Sequence, residues 1–152
     1  MYAAVKLIHI ASATVLLGTG IGIAFFMLRA YLSGSREVLQ VTAANVVLAD
    51  GLFTAPAVVV QLATGMWLTR ELGIAFDSPW FTLVIGLFFL VGACWLPVVG
   101  IQVRIRNLSL RETPEADGSI NRLMRWWIGL GIAGFLAVLG ILYLMVFKAG
   151  AY

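Results

Sequence analysis

The stretch Leu7–Leu28, LIHIASATVLLGTGIGIAFFML, decides the fold. It is apolar from end to end except for His9 and a few hydroxyls, and a membrane span needs about 20 mostly apolar residues. Outward from it, three more runs have the same character. The predicted spans are about Ala3–Leu28, Val38–Leu68, Trp80–Val103 and Trp126–Phe147. A cleavable signal is the alternative for the first run. That run is longer than a signal's apolar core, and only Lys6 precedes it, so a retained span is expected.

Composition agrees. Of 152 residues, 62% are hydrophobic and 11% charged. A soluble domain carries about 25% charged residues, so this chain could not cover a water-facing surface. The length suits one four-helix transmembrane domain over residues 1–152, all α, with no separate soluble catalytic unit. The net charge of +3 comes from basic residues beside the apolar runs. That placement suits lipid headgroups and not nucleic acid. The single Cys94 excludes an internal disulfide, and the single His9 excludes a two-histidine haem or metal site within one chain.

The connections set the expected orientation. Those after the first and third spans, with their flanks, hold Arg29, Arg36, Arg104, Arg106, Arg111, Arg122 and Arg125. The opposite side holds Lys6, Arg70 and Lys148. The positive-inside rule puts the arginine-rich end in the cytoplasm and both termini outside. Arg104–Asn121 reads as the one substantial loop, and Pro56 predicts a kink in the second span. Trp80, Trp126 and Trp127 suit interfacial belts at span ends. Gly18 and Gly22, with Gly129 and Ala133, have the small-x-x-x-small spacing that lets helices approach in lipid, so the first and fourth spans are expected to touch there.

Depth sorts the polar residues. At about 1.5 Å of rise per residue, His9 and Gln61 share a level near the outer face, with Phe81–Leu83 and Met145. Asp50 falls just to the cytoplasmic side of the midplane, near Cys94. Asn45, Gln102 and Arg125 lie deeper. His9 and Asp50 are thus expected in separate sites.

An ionisable group inside a membrane points to function by default. His9 has two readings. It is an axial ligand to haem iron or another transition metal, with Met145, Met66 or water opposite. Or it is a histidine hydrogen-bonded to a neighbouring span. Asp50, the candidate catalytic residue, is a proton relay or a bond to a facing helix or Asn45. Gln102 with Arg104 and Arg106 reads as a solvated rim, or as a basic pocket for an anionic headgroup or propionate. Cys94 reads as packing.

Lys6–Ile23, Val47–Gly65, Gly92–Arg106 and Leu144–Lys148 carry a resemblance, with the runs FTAPAVV (Phe53–Val59) and CWLPVV (Cys94–Val99) its most specific parts. The chain resembles a bacterial family of predicted integral membrane proteins of unknown function. More distantly it resembles the CopD-like group, which includes copper-resistance D proteins and the HemJ-type protoporphyrinogen oxidase. The shared elements are an early histidine, His9, and a T-G-like turn ending the second span, Thr64-Gly65. The HemJ-type lysine of the third span is absent from Trp80–Val84, as is the fourth-span N-E-x-P-like motif, so protoporphyrinogen oxidation is not expected. The resemblance implies His9 as a haem ligand.

The leading expectation is therefore a b-type haem protein of the bacterial cytoplasmic membrane. It would act in electron transfer or as an oxidoreductase, with a quinone or redox partner. His9 ligates the iron, Met145 and Gln61 lie at its level, and Lys6, Arg70 or Lys148 pair with the propionates. A homodimer would bring two His9 residues together. The alternatives are a small-solute or copper transporter, for which soft ligands are few, and a non-catalytic assembly subunit.

Overall fold

The structure is a computed structural model that describes residues 1–111 and 113–147. Lys148, an expected propionate partner, lies outside the described residues. Among those described, all regular structure is helical. Helix α1 spans Tyr2–Leu32 and α2 spans Arg36–Ala49. A π-helical turn, Asp50–Thr54, joins α2 to α3, Ala55–Glu71. Helix α4 spans Pro79–Leu108 and α5 spans Pro114–Phe147. With α2, the π-turn and α3 taken as one rod, four helices are long and apolar enough to cross a membrane.

Local chemistry explains the boundaries. Gly34 turns α1 into α2 with φ +70°, a conformation that suits a residue without a Cβ. Ser35 then caps α2, its Oγ accepting from Val38 N at 3.3 Å. Gly73, at φ +67°, ends α3, and Ile74 N donates back to Thr69 O at 3.1 Å. Ser78 caps α4 through Phe81 N at 3.2 Å, with Pro79 in the first position.

Two expectations about the connections are corrected. Thr64-Gly65 is not a turn: it lies inside α3, which runs on to Glu71 and is ended by Gly73. The expected loop Arg104–Asn121 is also mostly helix. Helix α4 continues to Leu108, and α5 starts at Pro114, well before Trp126. Thr113 Oγ1 caps that start by accepting from Ala116 N at 3.3 Å. Glu115 and Asp117 favour the first turn electrostatically. Ala116, Ile120, Met124 and Trp127 are then buried at helical spacing, so this polar-looking segment has an apolar stripe.

The expected kink at Pro56 takes the form of the π-turn. Ala55 N donates to Asp50 O, five residues back, and Pro56 sits in the first turn of α3. A proline has no N–H for the α-helical bond, and a widened turn absorbs that loss.

The helices pair differently at the two ends. Towards the termini, α1 packs on α3 and α4 on α5. At the arginine-rich end α2 lies against α1 and α4. There Met27, Ala43, Ile105 and Met124 form a closed core, all at most 1% exposed. The expected contact of α1 with α5 at Gly18/Gly22 and Gly129/Ala133 does not form: nothing from another helix lies within 4 Å of a Cβ built at Gly18, Gly22 or Gly129. Small residues permit approach but do not choose the partner. Helix α1 meets α5 only nearer its C-terminal end, where Tyr31 Oη donates to Asn121 Oδ1 at 2.9 Å. The close approaches lie elsewhere. A Cβ at Gly65 would stand 3.3 Å from His9 Cε1, and one at Gly140 would stand 3.3 Å from Leu87 Cδ1.

Large apolar side chains such as Phe25, Phe26, Phe89, Leu96 and Leu136 point outward around the bundle. In water such a surface would aggregate; in hydrocarbon it is ordinary. Trp80 and Trp127 are not belt residues, being only 7% exposed each, whereas Trp126 faces out. Adjacent helical positions diverge by about 100°, so Trp126 and Trp127 cannot share a face. Trp80 instead ties α4 to α5, its Nε1 donating to Leu144 O at 3.0 Å.

Candidate functional site

Two polar clusters lie within the spans. The first joins α1 to α3. His9 Nδ1 is 2.8 Å from Thr64 Oγ1, and His9 Nε2 is 3.0 Å from Gln61 Nε2. Thr64 donates its hydroxyl proton to Val60 O at 2.6 Å. Its Oγ1 is then an acceptor, so Nδ1 carries the imidazole proton. Nε2 keeps the lone pair and accepts from the Gln61 amide. Gln61 Oε1 in turn accepts from buried Ser12 Oγ at 2.6 Å. Every side-chain polar atom of this four-residue network has a partner. Gly65, one residue beyond Thr64, leaves the room that lets the ring reach α3.

The expected level match of His9 with Gln61 is therefore a direct hydrogen bond. Met145 is not brought to the ring: it packs beside Trp80 and Leu144 on the α4–α5 pair. Lys6 stands over the Tyr2 ring, its Nζ 5.9 Å from the centroid. Ser12 and Thr64 complete the network. A hydroxyl residue one turn along from a histidine or glutamine was the signal for both.

The second cluster surrounds Asp50 at the π-turn. Asp50 is only 4% exposed. Its Oδ1 accepts from Trp95 Nε1 at 3.0 Å, which ties the π-turn to α4. Its Oδ2 and Thr54 Oγ1 are buried with no hydrogen-bond partner. Of the two partners expected, the facing helix supplies the bond, and Asn45 is exposed on α2. Trp95 follows Cys94, the residue placed by depth beside Asp50, and an indole N–H in lipid requires an acceptor. Cys94 itself packs against Gly134. No hydrogen bond joins the His9 and Asp50 clusters.

Gln102 is corrected more sharply. It is not part of a solvated rim but fully buried at 0% exposure, and neither its Oε1 nor its Nε2 has a partner. It lies on the face of α4 that carries Ile105 into the core, while Arg104 points out. Trp127 Nε1 is buried and unpartnered as well.

A haem iron would take the Nε2 lone pair of His9. The donor fits in one respect: ligating histidines almost always have their other N–H held by an acceptor, and Thr64 does that here. It is obstructed in another, because the Gln61 amide stands where the metal would bind. Among the described residues no group of three or more His, Cys, Asp or Glu could hold a metal ion without a cofactor.

A family model described as a predicted integral membrane protein (DUF2269) matches residues 3–149, so the chain belongs to that family. No curated protein and no solved structure matches it.

Proposed function

We propose, with membership of that membrane family as the premise, that this is a multi-pass protein of a bacterial cytoplasmic membrane in which His9 ligates a b-type haem for electron transfer. One observation carries the reading: Thr64 holds Nδ1–H and leaves Nε2 as the donor atom. Haem b would supply reversible one-electron transfer. The resemblance of the His9 region to the CopD-like group points the same way.

This chain's residues then have definite tasks. Gln61 would have to give up Nε2 for a haem to be held there, and Ser12 would remain its partner. Thr64 fixes the ring's orientation and supports its basicity. Lys6, less than one turn before His9, would pair with a propionate. Met145 packs with Trp80 and Leu144, so it would not help hold the haem. The arginine bias sets this site towards the outer face, where a quinone or redox partner can reach it, and a second copy can pair laterally. Asp50 serves proton movement or helix contact in a separate site.

A second reading rests on Gln61. Both ring nitrogens already have protein partners, which suits a subunit whose polar residues only hold helices together. Absorbance of the detergent-purified protein, oxidised and dithionite-reduced, separates the two. The haem reading expects a Soret band and sharp reduced bands in the native chain, lost in a folded His9→Ala variant. A featureless spectrum after haem supply would leave the assembly reading in its place. Unchanged copper tolerance in a deletion strain would count against the copper-transport alternative.

A further inference from the structure

The arginine-rich end contains a cavity of about 320 Å³ between the last turns of α4 and the first turns of α5. Arg104, Asn107 and Arg111 line it from one side, and Ser119 and Arg122 from the other. Leu108 and Leu123 supply its apolar lining. Three arginines, a serine and an asparagine therefore border one open hollow. Guanidinium forks match phosphate oxygens bidentately, and serine and asparagine add neutral donors.

Among the described residues, no carboxylate compensates this cation cluster. Asp117, the acid nearest in sequence to Ser119, is bound to Arg36 at 2.5 Å. Arg36 also donates to Arg111 O and, at 3.1 Å, to Thr113 O. That clamp ties Arg111 and Thr113 to α2. Arg104 stands just past the apolar run ending at Val103, which is headgroup level. One turn beyond Arg122, exposed Trp126 marks the depth where acyl chains begin.

We propose that this cavity binds a phosphate-bearing anion: the headgroup of an anionic phospholipid or a free phosphate. The apolar lining and the interfacial level favour the lipid, whose glycerol and first methylenes would lie on Leu108 and Leu123. The site is independent of the His9 cluster and needs no haem.

Native mass spectrometry of the detergent-purified chain tests it, with phosphatidylglycerol, phosphatidylcholine and inorganic phosphate as separate probes. Phosphatidylglycerol is expected to be retained at least about tenfold better than phosphatidylcholine, the scale set by charge-assisted hydrogen bonds. The double variant Arg104→Gln/Arg122→Gln loses that preference, while Arg29→Gln, at the same end but outside the cavity, keeps it. Ser119→Trp fills the hollow with every arginine in place and also loses it, which covers failure of the double variant to fold. Retention of inorganic phosphate with the same dependence on the cavity, and no phosphatidylglycerol preference, assigns the soluble source. Equal retention of both lipids with no phosphate binding overturns the proposal. So does an unchanged preference in the double variant and Ser119→Trp.

Discussion

The two ends of the bundle treat buried polar atoms in opposite ways. Towards the termini, Ser12, Gln61, His9 and Thr64 form an unbroken chain of donors and acceptors between α1 and α3. From the π-turn towards the arginine-rich end, Asp50 Oδ2, Thr54 Oγ1, both polar atoms of Gln102 and Trp127 Nε1 are buried without a protein partner. A satisfied network fixes geometry, which suits a site that must present one lone pair. Orphaned groups are destabilising wherever they are dry, at about 1–3 kcal/mol each. The end with the tightest apolar core is thus also the end with polar strain. What holds that end together is apolar packing around Met27, Ile105 and Met124, helped by the Arg36 clamp.

Each expected outcome below can break or sharpen that contrast, the largest first. Gly65→Leu places a branched side chain against His9 Cε1 and pushes α1 from α3. A loss of about 3 kcal/mol is expected, the upper end for overpacking, in unfolding titrations in mixed micelles. Near-native stability would mean the two helices are not in close contact there. Gln102→Leu removes two orphaned polar atoms at nearly constant volume, and a gain of about 2 kcal/mol is expected in the same titration. A loss instead would reveal a partner for Gln102 and end the contrast between the two regions.

Trp95→Phe leaves Asp50 Oδ1 without its donor, with an expected loss of about 1–2 kcal/mol. Asp50→Asn keeps an acceptor for Trp95 and should differ from the native chain by less than about 0.5 kcal/mol, half a typical hydrogen bond. Asp50→Ala removes the acceptor, and a double-mutant cycle of Trp95→Phe with Asp50→Ala that shows no coupling would remove the bond from the account. Among the changes that break a bond, Thr64→Val has the smallest effect on stability, about 0.6 kcal/mol, typical of a hydrogen bond between helices in lipid. Its distinctive readout is nitrogen NMR of the imidazole, where loss of the fixed Nδ1–H tautomer is expected. An unchanged spectrum would mean that Thr64 does not set it.

Much of this was legible in the residues, for identifiable reasons. Apolar length alone marked the four rods, because a span must bury about 20 residues in hydrocarbon whatever its neighbours do. Counting rise per residue placed Gln61 at the level of His9, since both are fixed to rods of known pitch. It failed for Met145, because equal depth says nothing about which helix faces which. Gly18 and Gly22 misled for the same reason: small residues are a permission, and the partner was chosen by His9 bonding to α3. The segment before Trp126 read as a loop because its surface is polar, while the stripe Ala116, Ile120, Met124 and Trp127 shows only at helical spacing. Gln102 lay hidden among arginines, where an isolated buried amide cannot be told from a solvated one. Trp95 was not legible as the partner of Asp50, because rise per residue fixes depth and not which indole of a facing helix turns inward.

Haem titration of the Gln61→Ala variant beside the native chain and His9→Ala tests the central claim most directly. If His9 Nε2 is the iron ligand and Gln61 competes for it, removing the amide tightens haem binding and raises the Soret band, and His9→Ala abolishes it. If Gln61→Ala binds haem no better than His9→Ala does, the imidazole is only a bond between helices and the haem reading is wrong.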